Sequence, residues 1–181
     1  MGWGRAASLL IGALLAGSLA TACGGGGDKT FTAASAGFSF RYPSSFDDLG
    51  AAPGRQIQGR PAAYSHAVGM DTVNFILASR YVLRRPFESI PRPAFQQSVD
   101  AAARAIATAE EARITARSTG TMGGAPLFVY ELSSPDGTQR STLAFAFRGL
   151  GEYFLRCQWD AAGQKAVPKA CDTARSTFKI G

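Results

Sequence analysis

Histidine is nearly absent from this sequence: His66 is the single one in 181 residues. Cysteine is scarce too, with Cys23, Cys157 and Cys171 and no Cys-x-x-Cys pair. Cysteine–histidine zinc clusters of familiar spacing are thereby excluded, and no metal or other cofactor is expected. No Gly-x-Ser-x-Gly elbow occurs, so the nucleophile of an elbow-type hydrolase is missing. As a general base, His66 would need both a nucleophile and an orienting acid. On a strand with Tyr64 and Val68 at i±2, it reads as a structural histidine. The doublets Asp47-Asp48 and Glu110-Glu111 supply too few oxygens for a hard cation, which takes six or more. They read as solvated surface acids, one pair in a loop and one near a helix end. With so little to converge in a protected site, the chain is expected not to be an enzyme.

Charge is limited as well. Charged residues make up 18% of the chain against 46% apolar, a composition of one ordinary globular domain. Nineteen basic residues outnumber thirteen acidic ones, an excess too diffuse for a nucleic-acid partner. It suits anionic lipids or anionic envelope polymers instead.

What is present in strength is a run of alternating strands. Leu127–Ser133, Thr142–Arg148 and Glu152–Trp159 are joined by Ser134-Pro135-Asp136-Gly137 and by Gly149-Leu150-Gly151. Both joints carry turn chemistry: proline pre-sets φ, aspartate bonds its own backbone, and glycine supplies positive φ. Short links between alternating runs give antiparallel neighbours, hence a β-meander. Phe145, Phe147, Tyr153 and Trp159 are expected together on one heavy apolar face, which needs a cover.

Around this meander, Phe31–Ser35, Phe38–Tyr42, Ala62–Val68, Thr72–Val82 and Arg113–Thr119 read as further strands. Residues 44–60, rich in glycine, proline, serine and aspartate, read as a loop. Pro86, Pro91 and Pro93 precede a helix over Ala94–Arg113, with Phe95, Val99, Ala102, Ile106 and Ala109 at helical spacing. A second helix covers Val167–Ser176, followed by core residues Phe178 and Ile180. The total is seven or eight strands and two helices.

The N-terminus belongs to no domain. Arg5 is followed by the uncharged run Ala6–Ala20 and then small residues, the pattern of a secretory signal over 1–22. The run is short for a membrane span of about 20 residues. Leu19-Ala20-Thr21-Ala22-Cys23 resembles a bacterial lipobox, with leucine one place further upstream than usual. Cys23 is therefore expected to carry lipid, with 23–30 a glycine-rich tether and 31–181 the folded domain. That places the protein outside the cell, anchored to the outer face of the bacterial membrane. With Cys23 so assigned, Cys157 and Cys171 remain as a pair. Cys157 shares a strand face with Tyr153 and Leu155, and Cys171 a helix face with Val167 and Ala174. A disulfide forms if that helix covers that sheet face.

Four short motifs carry a resemblance to a known family. Phe38-Ser39-Phe40-Arg41-Tyr42-Pro43, Gly123-Gly124-Ala125-Pro126, Tyr153–Cys157 and Ala174–Ile180 with its Ser176-x-Phe178 ending resemble the PsbP-like superfamily. That superfamily includes the photosystem II extrinsic subunit, a yeast Ran-binding import factor and bacterial lipoproteins of the LpqN type. The resemblance implies an α+β fold, an antiparallel sheet flanked by helices in an α/β/α sandwich, and brings no catalytic motif.

Two functions from different classes follow as expectations. One is a lipid-anchored, non-enzymatic interaction module meeting an envelope protein, anionic lipid or polymer. Its docking residues would be the dense basic stretch Arg80, Arg84, Arg85 and Arg92, interleaved with Tyr81 and Phe87. The other is a carrier or sensor of a small apolar ligand held between sheet and helix.

Overall fold

The meander expected from turn chemistry forms the interior of a seven-stranded antiparallel sheet. The computed structural model describes residues 27–54 and 56–181. Its elements in chain order are β1 (Asp28–Ala33), β2 (Phe38–Pro43), β3 (Asp47–Ala51), β4 (Tyr64–Gly69) and β5 (Phe75–Val82). Then come α1 (Arg92–Ala109), β6 (Arg113–Met122), β7 (Ala125–Ser133), β8 (Arg140–Arg148), β9 (Gly151–Trp159), α2 (Val167–Thr177) and β10 (Lys179–Ile180). The large sheet has the order β3-β4-β5-β9-β8-β7-β6, and β1-β2-β10 form a second, three-stranded sheet.

The joints behave as their residues dictate. Gly123 and Gly124 both take positive φ in the β6–β7 turn, closed by the Met122–Ala125 pair, which is the geometry of a two-residue hairpin. In the β7–β8 connection, Asp136 accepts hydrogen bonds from Ser134 Oγ, Thr138 N and Thr138 Oγ1.

The expectation of one heavy apolar face is corrected: both faces of the sheet are covered. Residue 145 stands opposite 154, and 146 opposite 153, across the β8–β9 ladder. Because strand side chains alternate, Phe145 and Phe147 share a face with Phe154, whereas Tyr153, Leu155, Cys157 and Trp159 point the other way with Ala144 and Ala146. The first set packs under α1 with Phe95, Val99 and Ile106. The second packs under α2 and the small sheet with Phe38, Phe40 and Phe178. The alanines of β5 and β8 (Ala78, Ala144, Ala146) leave room there for the rings of β2. Phe38 stacks on Phe178 with centroids 5.4 Å apart.

Other boundaries move for local reasons. Residues 44–60 contain β3, whose short, polar, bulged sequence shows no alternation. Asp47 and Asp48 are therefore on an edge strand, not in a loop. Strand β1 begins at Asp28, inside the stretch expected as tether, because residues 28–33 pair along the whole of β2. Cys23 and the expected cleavage site lie outside the described residues. Helix α1 starts earlier than expected, at Arg92 after Pro91, and ends sooner, at Ala109. Its end is set by Glu111 at φ +52°, with Ala112 N donating to Ala107 O and Glu111 N to Thr108 O. That is a Schellman stop with glutamate in the left-handed position usually held by glycine. Among the described residues, no helix is long and apolar enough to cross a membrane.

Candidate functional site

Helix α1 does not seal its side of the sheet. It packs mainly on β6 and β7 and reaches β8 through Phe95 on Phe147, so much of the face over β8 and β9 is left to two connecting segments. One follows β3 and the other follows β5. Between them, α1 and the sheet lies a cleft of about 410 Å3, within the usual range of small-molecule sites.

Its floor is aromatic. Phe145 and Phe147 rise from β8, and Phe95 comes down from α1. The Phe95 ring meets Phe147 edge-on at 4.5 Å and Phe87 at 4.6 Å. Val99 and Ala102 continue the helix side, while Leu83 and Ile90 close the end that follows β5.

The opposite wall is a tight turn. Gln58 and Gly59 both take positive φ, +52° and +72°, and Ile57 and Arg60 exchange two backbone hydrogen bonds of 3.0 Å. Ile57 is buried. Gln58 Nε2 donates to Ser98 O at 2.7 Å and to Ser98 Oγ at 2.9 Å, which ties the turn to α1.

The turn delivers Arg60 into the wall. Its Nη2 lies 2.6 Å from Glu152 Oε2, and its guanidinium stands 6.0 Å from the Tyr81 ring centroid. Glu152 is almost fully buried, and burial pushes its carboxyl up while the Arg60 charge pulls it back down. The Nη1 of Arg60 is buried with no acceptor among the described residues. Arg84 and Arg85 line the cleft as well and are exposed. Among the described residues, the lining thus holds three guanidiniums against one carboxylate.

The four arginines expected as one docking group are only partly brought together. Arg84 and Arg85 sit at the cleft, and Arg92 is exposed at the start of α1. Arg80 is elsewhere. It pairs in register with Tyr153 across β9, and so lies on the α2 side of the sheet, half-buried. Sequence reasoning missed Arg60 and Glu152, which lie 92 positions apart. The only local signal was Glu152 itself, an acid in a strand that also carries Arg156 and Gln158.

His66 lies away from the cleft. It stacks on Phe31 at 4.5 Å, and its Nε2 is 2.6 Å from Asp48 Oδ1. Asp48 also accepts the Gly50 amide hydrogen, and that bond first, then His66, holds its carboxyl low. This is a histidine–carboxylate pair binding β3 to β4. Glu110 departs from the expected solvated doublet. It is largely buried 2.9 Å from Arg156 Nη1, pinning the end of α1 to β9, while Glu111 is exposed. Arg156 also donates to Gln158 and covers the Phe75 ring at 5.7 Å. No group of three or more metal-ligating side chains occurs among the described residues.

Cys157 and Cys171 are joined, S–S 2.00 Å and Cα–Cα 6.0 Å. The bridge links β9 to α2 inside the core on that side.

No family model matches the chain, and no curated protein matches it. Among solved structures, it is similar to cyanobacterial PsbP from Synechocystis sp. PCC 6803. That likeness has a TM-score of 0.58 at 13% identity and covers 88% of this chain and 97% of the other. It is also similar to a protein of Bacteroides thetaiotaomicron VPI-5482, with a TM-score of 0.53 at 14% identity. There the match covers 84% of this chain and 48% of the other. The fold is PsbP-like: two helices on a large antiparallel sheet.

Proposed function

We propose that this chain is a non-enzymatic binding module of the bacterial cell envelope, of the LpqN lipoprotein type within PsbP-like folds. Its N-terminal segment exports it, and lipid on Cys23 holds it at the outer face of the membrane. It takes a small ligand with an apolar body into the cleft between α1 and the sheet. The observation behind this reading is the 410 Å3 cleft itself, apolar in its floor and polar at one wall, as ligand sites commonly are. The case against catalysis is that His66 and Asp48 lie at the sheet edge, with none of the cleft's side chains beside them.

The test is occupation of the cleft. A fluorescent apolar probe should bind the protein, and Ala94→Trp should abolish binding with the circular dichroism spectrum unchanged. Ala94 lines the cleft and is exposed, so the indole fills space without disturbing the core. Equal binding by this variant would sink the cleft reading. A second reading, docking to an anionic envelope surface, draws on Arg84, Arg85 and Arg92. All three are exposed and have no carboxylate partner among the described residues. Unchanged, still salt-sensitive association of an Arg84→Ala, Arg85→Ala, Arg92→Ala variant with envelope fractions would exclude it.

A further inference from the structure

The charge lining the cleft is more specific than its shape. We propose that the cleft selects an amphipathic anion, with an alkyl or aryl body on the Phe95, Phe145 and Phe147 floor and an anionic head met by Arg60, Arg84 and Arg85. This rests on the cleft being the ligand site and names the chemistry of what enters it.

Among the described residues, three arginines and one glutamate line the cavity, a net of two positive charges before any ligand binds. Glu152 is already committed to Arg60 at 2.6 Å. It therefore cancels one guanidinium and leaves Arg84 and Arg85 uncompensated. A neutral apolar ligand would have no use for them.

Arg60 adds a second reason. Its Nη2 is held by Glu152, and its Nη1 is buried without an acceptor among the described residues. A buried charged donor left unpaired is costly. An acceptor oxygen on a bound head group would satisfy it once the guanidinium turns toward the cleft. A guanidinium has donors enough for both partners, and its planar fork suits carboxylate and phosphate oxygens alike.

The placement fits an elongated amphiphile. Arg84 and Arg85 come from the exposed segment after β5, whereas Phe145 and Phe147 are buried in the sheet face. A head group thus stays near solvent while the tail is desolvated. Cations outside and aromatics within set the direction of entry.

The experiment compares three probes of equal chain length on the full-length protein: decanoate, decyl phosphate and decanol. Binding is followed by titration calorimetry and by amide shifts of residues 94–99. Decanoate or decyl phosphate should bind at least about tenfold more tightly than decanol, the loss expected for one charged contact. The double variant Arg84→Ala, Arg85→Ala should erase that preference and leave decanol binding unchanged. Which anion binds more tightly identifies the head as carboxylate or phosphate. If decanol binds as tightly as both anions, the anionic class is wrong and the cleft reading stands. If none of the three shifts residues 94–99, the cleft reading itself falls. Arg60→Gln is a secondary variant, because it also leaves Glu152 unpaired. The exposed arginine pair carries the decision.

Discussion

Arg60 and Glu152, 92 positions apart, meet at 2.6 Å in the wall of the cleft. Their side chains are 18% and 2% exposed, so each is the main compensation for the other's lost hydration. Removing either alone strands a buried charge, which costs about 3 kcal/mol or more. Arg60→Met and Glu152→Leu should each lower stability by about that amount in urea denaturation. The double variant should lose much less than the sum. Strictly additive losses would show that the two side chains are not coupled.

The Cys157–Cys171 bridge closes a segment of 14 positions. In the chain-entropy model a loop of that size contributes about 3 kcal/mol. Reduction, or the Cys157→Ala, Cys171→Ala variant, should lower stability by about this amount while the sheet stays intact by circular dichroism. Alkylation of two thiols in unreduced, exported protein would refute the bridge.

Asp48 gives an acid-sensitive edge. Its carboxyl is held below the ordinary 3.8, first by the Gly50 amide and then by His66. A carboxyl lowered in the folded state adds stability above its unfolded value, and loses it as pH falls through the folded one. Asp48→Ala should therefore lower the melting temperature at neutral pH, and the gap from the parent should narrow below pH 3.8. A gap that stays constant with pH would leave Asp48 no electrostatic part in holding β3.

Anchoring is tested in cells. Cys23→Ser should release the processed chain from the membrane fraction, since acylation adds membrane affinity that the signal alone does not provide. Continued full attachment of a processed chain would rule out lipid at Cys23.

Much of the large sheet was legible because its signals are local. The turns at Ser134–Gly137 and Gly149–Gly151 and the alternation of β8 and β9 are each contained within a few residues. The disulfide was legible by elimination, together with the faces of two neighbouring elements. β3 was not: Asp47–Ala51 is a strand only because β4 pairs with it, and an exposed polar edge needs no apolar alternation. Nor was the split of the aromatics. Phe147 and Tyr153 each alternate correctly within their own strand, but the relation between strands depends on register, and a shift of one residue reverses it.

The sequence by itself determined the meander and the two helices with their apolar stripes. These rest on backbone chemistry and short-range periodicity. Only the tertiary structure decided that the sheet is covered on both faces, that Arg80 parts from Arg84 and Arg85, and that Arg60 meets Glu152 beside an aromatic floor. Those are relations between residues far apart in sequence. They are fixed when strand register and helix placement bring distant side chains into the same desolvated space, where burial and charge pairing set their energies.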